Sequence, residues 1–98
     1  MSVSDGPHLE IIDRIKKDLT DLVGKEMKLR ANKGRKVIIE RIGTIQEIYP
    51  NLFVMLVKED GQRFSRVSYS YVDLLTKTVE LTNNSTDENI LPWLAKYN

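Results

Sequence analysis

The spacing of apolar residues changes period once along this chain. From His8 to Val23 they fall at Leu9, Ile12, Ile15, Leu19 and Leu22, steps of three or four that gather into one stripe on a 3.6-residue helix. Asp13, Lys16, Lys17, Asp18 and Asp21 fall on the other side. Ser4 or Asp5 suits an N-cap, Pro7 a first-turn position, and Gly24 a stop that needs positive φ. An amphipathic helix is therefore expected from about residue 8 to residue 23.

Beyond Gly24 the period becomes two. Met27, Leu29 and Ala31 alternate with Glu26, Lys28 and Arg30, the pattern of a half-buried strand. Asn32-Lys33-Gly34 reads as a turn, and Arg35 to Ile42 as a second strand rich in β-branched residues. Gly43 interrupts it, as at a bulge or a barrel corner, before Pro50-Asn51 ends it. Leu52 to Val57 is apolar on both faces, so the first helix or a second subunit is expected to cover its outer side. Asp60-Gly61 marks a hairpin leading into Arg63–Ser70. Tyr71 to Leu75 reads as a helical turn, and Lys77 to Leu81 as a fifth strand.

These elements make a mainly β fold with an N-terminal α-helix, a small five-stranded SH3-like barrel in which closure removes the sheet edges. Three segments follow: a tail over 1–7, the helix and barrel over 8–81, and a polar linker with an apolar end over 82–98. Whether Ile90-Leu91-Pro92-Trp93-Leu94 docks on its own domain, stays loose or contacts a partner is left open by the pattern.

With 98 residues, 41% of them hydrophobic and 30% charged, one modest core is expected. There is no cysteine, which excludes disulfides, thiolate zinc sites and cysteine nucleophiles and fits a reducing cytoplasm. No apolar run approaches the roughly 18 residues of a membrane span, so no membrane partner is expected. His8 is the only histidine, and the glycines stand alone rather than in a phosphate-binding loop. Neither a catalytic constellation nor a metal or cofactor site is expected.

Charge changes the picture in one place. The net charge is +1, yet Lys25, Lys28, Arg30, Lys33, Arg35, Lys36 and Arg41 face only Glu26 and Glu40 between residues 25 and 41. That local excess of five positive charges suits a strip tracking a nucleic-acid backbone, whereas an ordinary charged sheet face is the commoner use of such a run. Tyr49, Tyr69 and Tyr71 lie near enough in sequence to offer stacking surfaces, with a structural role the favoured reading for the latter two. Trp93 is the candidate contact for a protein partner.

The residues Leu9–Leu19 running into Val23-Gly24-Lys25, then Leu29–Lys36, Tyr49-Pro50 with Phe53-Val54, and above all Val67-Ser68-Tyr69-Ser70-Tyr71-Val72-Asp73-Leu74-Leu75-Thr76 resemble the Veg family of small Gram-positive bacterial proteins. The resemblance covers about residues 8–81 with order and spacing intact. A Gly-Gly-Arg-Lys-Lys turn associated with that family reads Lys33-Gly34-Arg35-Lys36-Val37 here, one glycine and one base fewer. The resemblance implies an SH3-like barrel without enzymatic activity. It also implies a role in regulating transcription, through stimulation of biofilm matrix genes by opposing a repressor. It supplies no residue-level site. The expected partner is therefore a transcriptional regulator protein or a nucleic acid, with a homodimer through Leu52–Val57 as a further expectation.

Overall fold

The computed structural model describes residues 5–97, with side chains described for residues 10–94. The first helix, α1, runs from Asp5 to Thr20 and ends in a turn closed by Gly24 at φ 88°. Its buried stripe is Ile11, Ile15 and Leu19, spaced four apart, with Ile12 and Leu22 beside it. The stripe is thus centred on Ile11 rather than Ile12. The expected cap Ser4, and the side chains of Asp5, His8 and Leu9, lie outside the described residues.

Five strands follow: β1 (Glu26–Gly34), β2 (Val37–Ile48), β3 (Leu52–Lys58), β4 (Phe64–Ser70) and β5 (Val79–Asn83). All neighbours are antiparallel, in the order β4-β3-β2-β1-β5. The fold is mainly β with an N-terminal helix, as expected. No ladder joins β4 to β5, so the sheet is not closed and is barrel-like only loosely. The second helix, α2 (Tyr71–Leu75), stands between these two strands in the chain. Its Leu74 meets Val79 and Leu81 of β5 and Leu91 and Leu94 from the C-terminal segment, so side chains rather than backbone bonds finish that side.

Ser70 and Asp73 explain why α2 starts where it does. The Ser70 hydroxyl accepts from the Asp73 amide at 3.2 Å, and the Asp73 carboxylate accepts from the Ser70 amide at 3.1 Å. This reciprocal cap satisfies two amides that a helix start otherwise leaves bare. Tyr71 is 1% exposed, and its hydroxyl lies 2.5 Å from the Tyr49 carbonyl and 2.9 Å from that of Leu52. One hydroxyl therefore holds both ends of the turn between β2 and β3.

At Gly43 the backbone of β2 leaves no room for a side chain beside β3. A Cβ there would lie 2.7 Å from the Leu56 carbonyl oxygen and 3.0 Å from a Val57 methyl. Helix α1 joins the core on the inner side of β3, where Phe53, Met55 and Val57 lie, and leaves the outer side to other residues. Val54 lies across from Glu47 and Ser68, and Leu56 across from Thr44 and Arg66. The Arg66 guanidinium reaches the Glu47 carboxylate at 2.8 Å, so two charged side chains bridge the strand on this side.

Residues 82–94 are ordered into the domain rather than strung out as a linker. The Asn83 side chain accepts from the amides of Ser85 and Thr86, turning the chain so that Asn89 pairs back with Thr82. Leu91 and Leu94 are 1% and 5% exposed, in the same core as α1 and the sheet. A short 3₁₀ helix, Pro92–Tyr97, carries Trp93.

Candidate interaction site

The basic residues between Lys25 and Arg41 do not form one strip. Strand pleating sends alternate side chains to opposite faces, and the register fixes which. Met27, Leu29 and Ala31 face the core, so Lys28 and Arg30 face outward. Arg41 lies opposite Leu29 and therefore points to the inner side, away from them. Each of the three has a carboxylate partner: Lys28 with Asp87 at 2.5 Å, Arg30 with Glu40 at 3.7 Å, and Arg41 with Glu59 at 3.3 Å. The bond to Asp87 is the main reason the Lys28 ammonium titrates above its ordinary range. Lys25 sits at the other end of β1, in the turn after α1.

Lys33, Arg35 and Lys36 differ. All three are exposed at the tip of the β1–β2 hairpin, and among the described residues no carboxylate lies within ion-pair range of any of them. The turn sits at Arg35-Lys36, three residues later than the sequence suggests. The Asn32 side chain accepts from the Gly34 amide at 3.0 Å, Lys33 forms a bulge, and Lys36 takes the left-handed region at φ 61°. Asn32 therefore supports a kink near the tip instead of being the turn itself.

The tyrosines separate in the same way. Tyr71 is withdrawn from any stacking role by its burial, which also raises the pKa of its phenol. Tyr69 is half-buried, 6.2 Å from the Phe53 ring centre, and its phenol is pushed up mainly by loss of water. Tyr49 is 43% exposed, and its hydroxyl donates to Glu47 at 2.8 Å, the chief cause of its raised pKa. Trp93 donates its indole N–H to Asp18 at 2.8 Å and lies under the Arg14 guanidinium, 4.1 Å from the ring centre.

The feature that charge reading alone misses is the edge of β2. Strand β3 pairs with β2 only from Gly43 to Ile48, and β5 follows β1 only as far as Ala31. Residues 32–38 thus run on as a two-stranded ribbon, Ile39 to Ile42 form the edge of a β2-β1-β5 sheet, and no strand among the described residues pairs with the outer edge of β2 from Val37 to Ile42. Val37 and Ile38 are each 51% exposed. The Asn32 amide donates to the Thr78 carbonyl on the far side of β1, which makes Asn32 and Ile38 a non-hydrogen-bonded pair. By alternation, the N–H and C=O groups of Ile38 and Glu40 point away from β1 into the open edge. The signal available in sequence was Val37-Ile38-Ile39, three consecutive apolar residues of which a single-faced strand buries only some.

Between the ribbon's inner face and the β3–β4 hairpin lies a recess of about 130 Å³ lined by Leu29, Ile39, Val57, Val67 and Tyr69 and rimmed by Lys33, Arg41 and Glu59. Among the described residues, no three histidine, cysteine or acidic side chains are grouped so as to hold a metal. No helix among them is long and apolar enough to cross a membrane.

The family model described as biofilm formation stimulator VEG matches residues 10–82, from the first turns of α1 to the end of the sheet. The chain belongs to the Veg family. None of the curated proteins matches it. The Veg match takes in the whole ribbon and the Ser70–Asp73 cap, and it ends before the segment that carries Leu91, Trp93 and Leu94.

Proposed function

We propose that this Veg family protein acts without catalysis, as a regulatory binding protein linked to the control of transcription, and that it holds a protein partner on the β1–β2 ribbon. One observation carries the reading: an unpaired apolar strand edge, Val37 to Ile42, lies directly beside three cations that have no acidic partner among the described residues. Edges of this kind pair readily with other chains, and proteins usually blunt them unless they are used. The family description supplies the physiological output, stimulation of biofilm formation.

The test is complementation of a host strain lacking its own copy, with biofilm mass and matrix-gene transcripts as readouts. Ile38→Asp and the Arg35→Glu/Lys36→Glu pair are expected to abolish stimulation at normal protein level, while Lys28→Ala and Arg30→Ala retain it. Full stimulation by the ribbon variants would refute the reading.

The tip cations also favour a second reading, contact with a nucleic-acid backbone. Three available charges support a log–log salt slope of about −3, whereas a strip of seven would give about −6. Anisotropy titrations of labelled DNA and RNA at several salt concentrations separate the two, and no binding at low salt excludes both.

A further inference from the structure

We infer that the β2 edge takes an added β-strand from an acidic, extended segment of a partner protein, with one apolar side chain of that segment seated in the recess beside Ile39 and Tyr69. This deepens, and rests on, the reading of the ribbon as a protein-binding site. Three features of the edge specify the ligand.

The first is the backbone. Ile38 and Glu40 present outward N–H and C=O groups at the spacing of an antiparallel or parallel ladder, and β2 continues past the end of its pairing with β3 for six residues, Val37 to Ile42. At roughly 3.4 Å per residue that is about 20 Å, the length of an ordinary strand. An incoming strand continues the sheet where β3 leaves it. Strand β5 offers less, since residues 88–90 already bond to it. Strand β4 offers a more polar edge, with Ser65, Arg66, Ser68 and Ser70 along its length.

The second is the recess. Its volume, about 130 Å³, is near that of apolar cavities that admit a benzene-sized group, so it accepts one side chain and not a cofactor. Ile39 is both a wall of this recess and a residue of the open edge, so a strand added there alternates its side chains into the recess and out to solvent.

The third is charge. Lys33, Arg35 and Lys36 stand at the turn end of the edge without carboxylate partners among the described residues, while Arg41 is already held by Glu59. The uncompensated charge is all positive. An acidic segment answers it, whereas a second copy of this chain brings the same three cations.

The probe is a fluorescein-labelled ten-residue peptide of alternating Asp and Val, titrated into the full chain by anisotropy. Three comparisons accompany it: the same peptide with Lys for Asp, the Asp peptide with two central Val replaced by Pro, and a labelled oligothymidylate. Saturable binding of the Asp–Val peptide is expected, with at least tenfold weaker binding of the Lys and Pro peptides. Ile38→Pro in the protein removes an outward N–H without touching the bonds to β1, and it should weaken the Asp–Val peptide at least tenfold while leaving the circular dichroism and melting temperature intact. Arg35→Glu/Lys36→Glu should do the same, which keeps the test alive if the proline variant does not fold. Equal binding of the Asp–Val and Pro peptides, or oligothymidylate binding as tightly as the peptide, would show attraction by charge alone and overturn the inference. Sedimentation showing a dimer that Ile38→Pro dissociates would give the edge to a second copy and also overturn it. No peptide binding, combined with loss of biofilm stimulation in the ribbon variants, would overturn this inference and leave the ribbon as the functional surface.

Discussion

The indole N–H of Trp93 donates to the Asp18 carboxylate at 2.8 Å, joining the C-terminal 3₁₀ helix to α1 across 75 residues of sequence. With Arg14 stacked over the same ring, Trp93 is clamped between two charged side chains of α1. Its apolar neighbours Leu91 and Leu94 enter the core. Trp93→Ala should therefore lower stability by on the order of 2 kcal/mol, less than the roughly 3–5 kcal/mol typical of fully buried aromatic truncations. Asp18→Asn keeps an acceptor and should cost less than about 1 kcal/mol. Urea midpoints of the two variants check the order. Removal of residues 84–98 takes out two buried leucines, worth roughly 1.5–3 kcal/mol each, so loss of binding on truncation would reflect the fold before it reflected a contact.

Tyr71→Phe should cost about 1–3 kcal/mol, because it strips the shared partner from the Tyr49 and Leu52 carbonyls in a part-buried turn. Replacement by Phe keeps the ring contact with Phe53, 5.7 Å between centres, so the change reports the hydroxyl. The same phenol sets a pH dependence. Tyr71 and Tyr69 are raised by burial and Tyr49 by its bond to Glu47, so the fold favours all three phenols neutral. A raised folded-state pKa gives stability that is fully present below the ordinary value of 10.0 and is lost as pH rises through the folded value. Lys28, raised by Asp87, works in the same direction from 10.5. Stability should hold to about pH 9 and fall steadily above 10 in urea titrations, and the fall should be shallower in Tyr71→Phe.

Gly43→Ala should destabilise by about 1–3 kcal/mol, since the new methyl meets the Leu56 carbonyl, which cannot rotate away as a side chain would. Thermal melts of this variant beside Gly61→Ala separate close approach from backbone conformation. At Gly61 a Cβ meets nothing within 4 Å, and only the positive φ of 66° opposes it.

Much of the fold was legible because periodicity reports burial directly. The alternation of Met27, Leu29 and Ala31 placed β1 on the correct face, and the stepped apolar residues of α1 placed its buried stripe to within one residue, at Ile11 rather than Ile12. Closure of the barrel was not legible, since it depends on whether β4 and β5 meet, and Leu74, Leu91 and Leu94 fill that side instead. The polar stretch from Thr82 to Asn89 concealed a turn stabilised by its own asparagine, which composition treats as linker. Counting charges along the chain grouped seven basic residues that pleating divides between faces, and their acidic partners Glu59 and Asp87 come from distant segments. The open edge was hidden for the same reason: where β3 stops pairing with β2 is a property of register.

The most direct measurement of the central claim is amide hydrogen exchange, residue by residue, along β2 in the free protein at low concentration. Ile38 and Glu40 should exchange quickly because their N–H groups face the open edge, while Ile39 and Arg41, bonded to β1, should be protected. Protection of all four would contradict the account, because the edge would then already be paired.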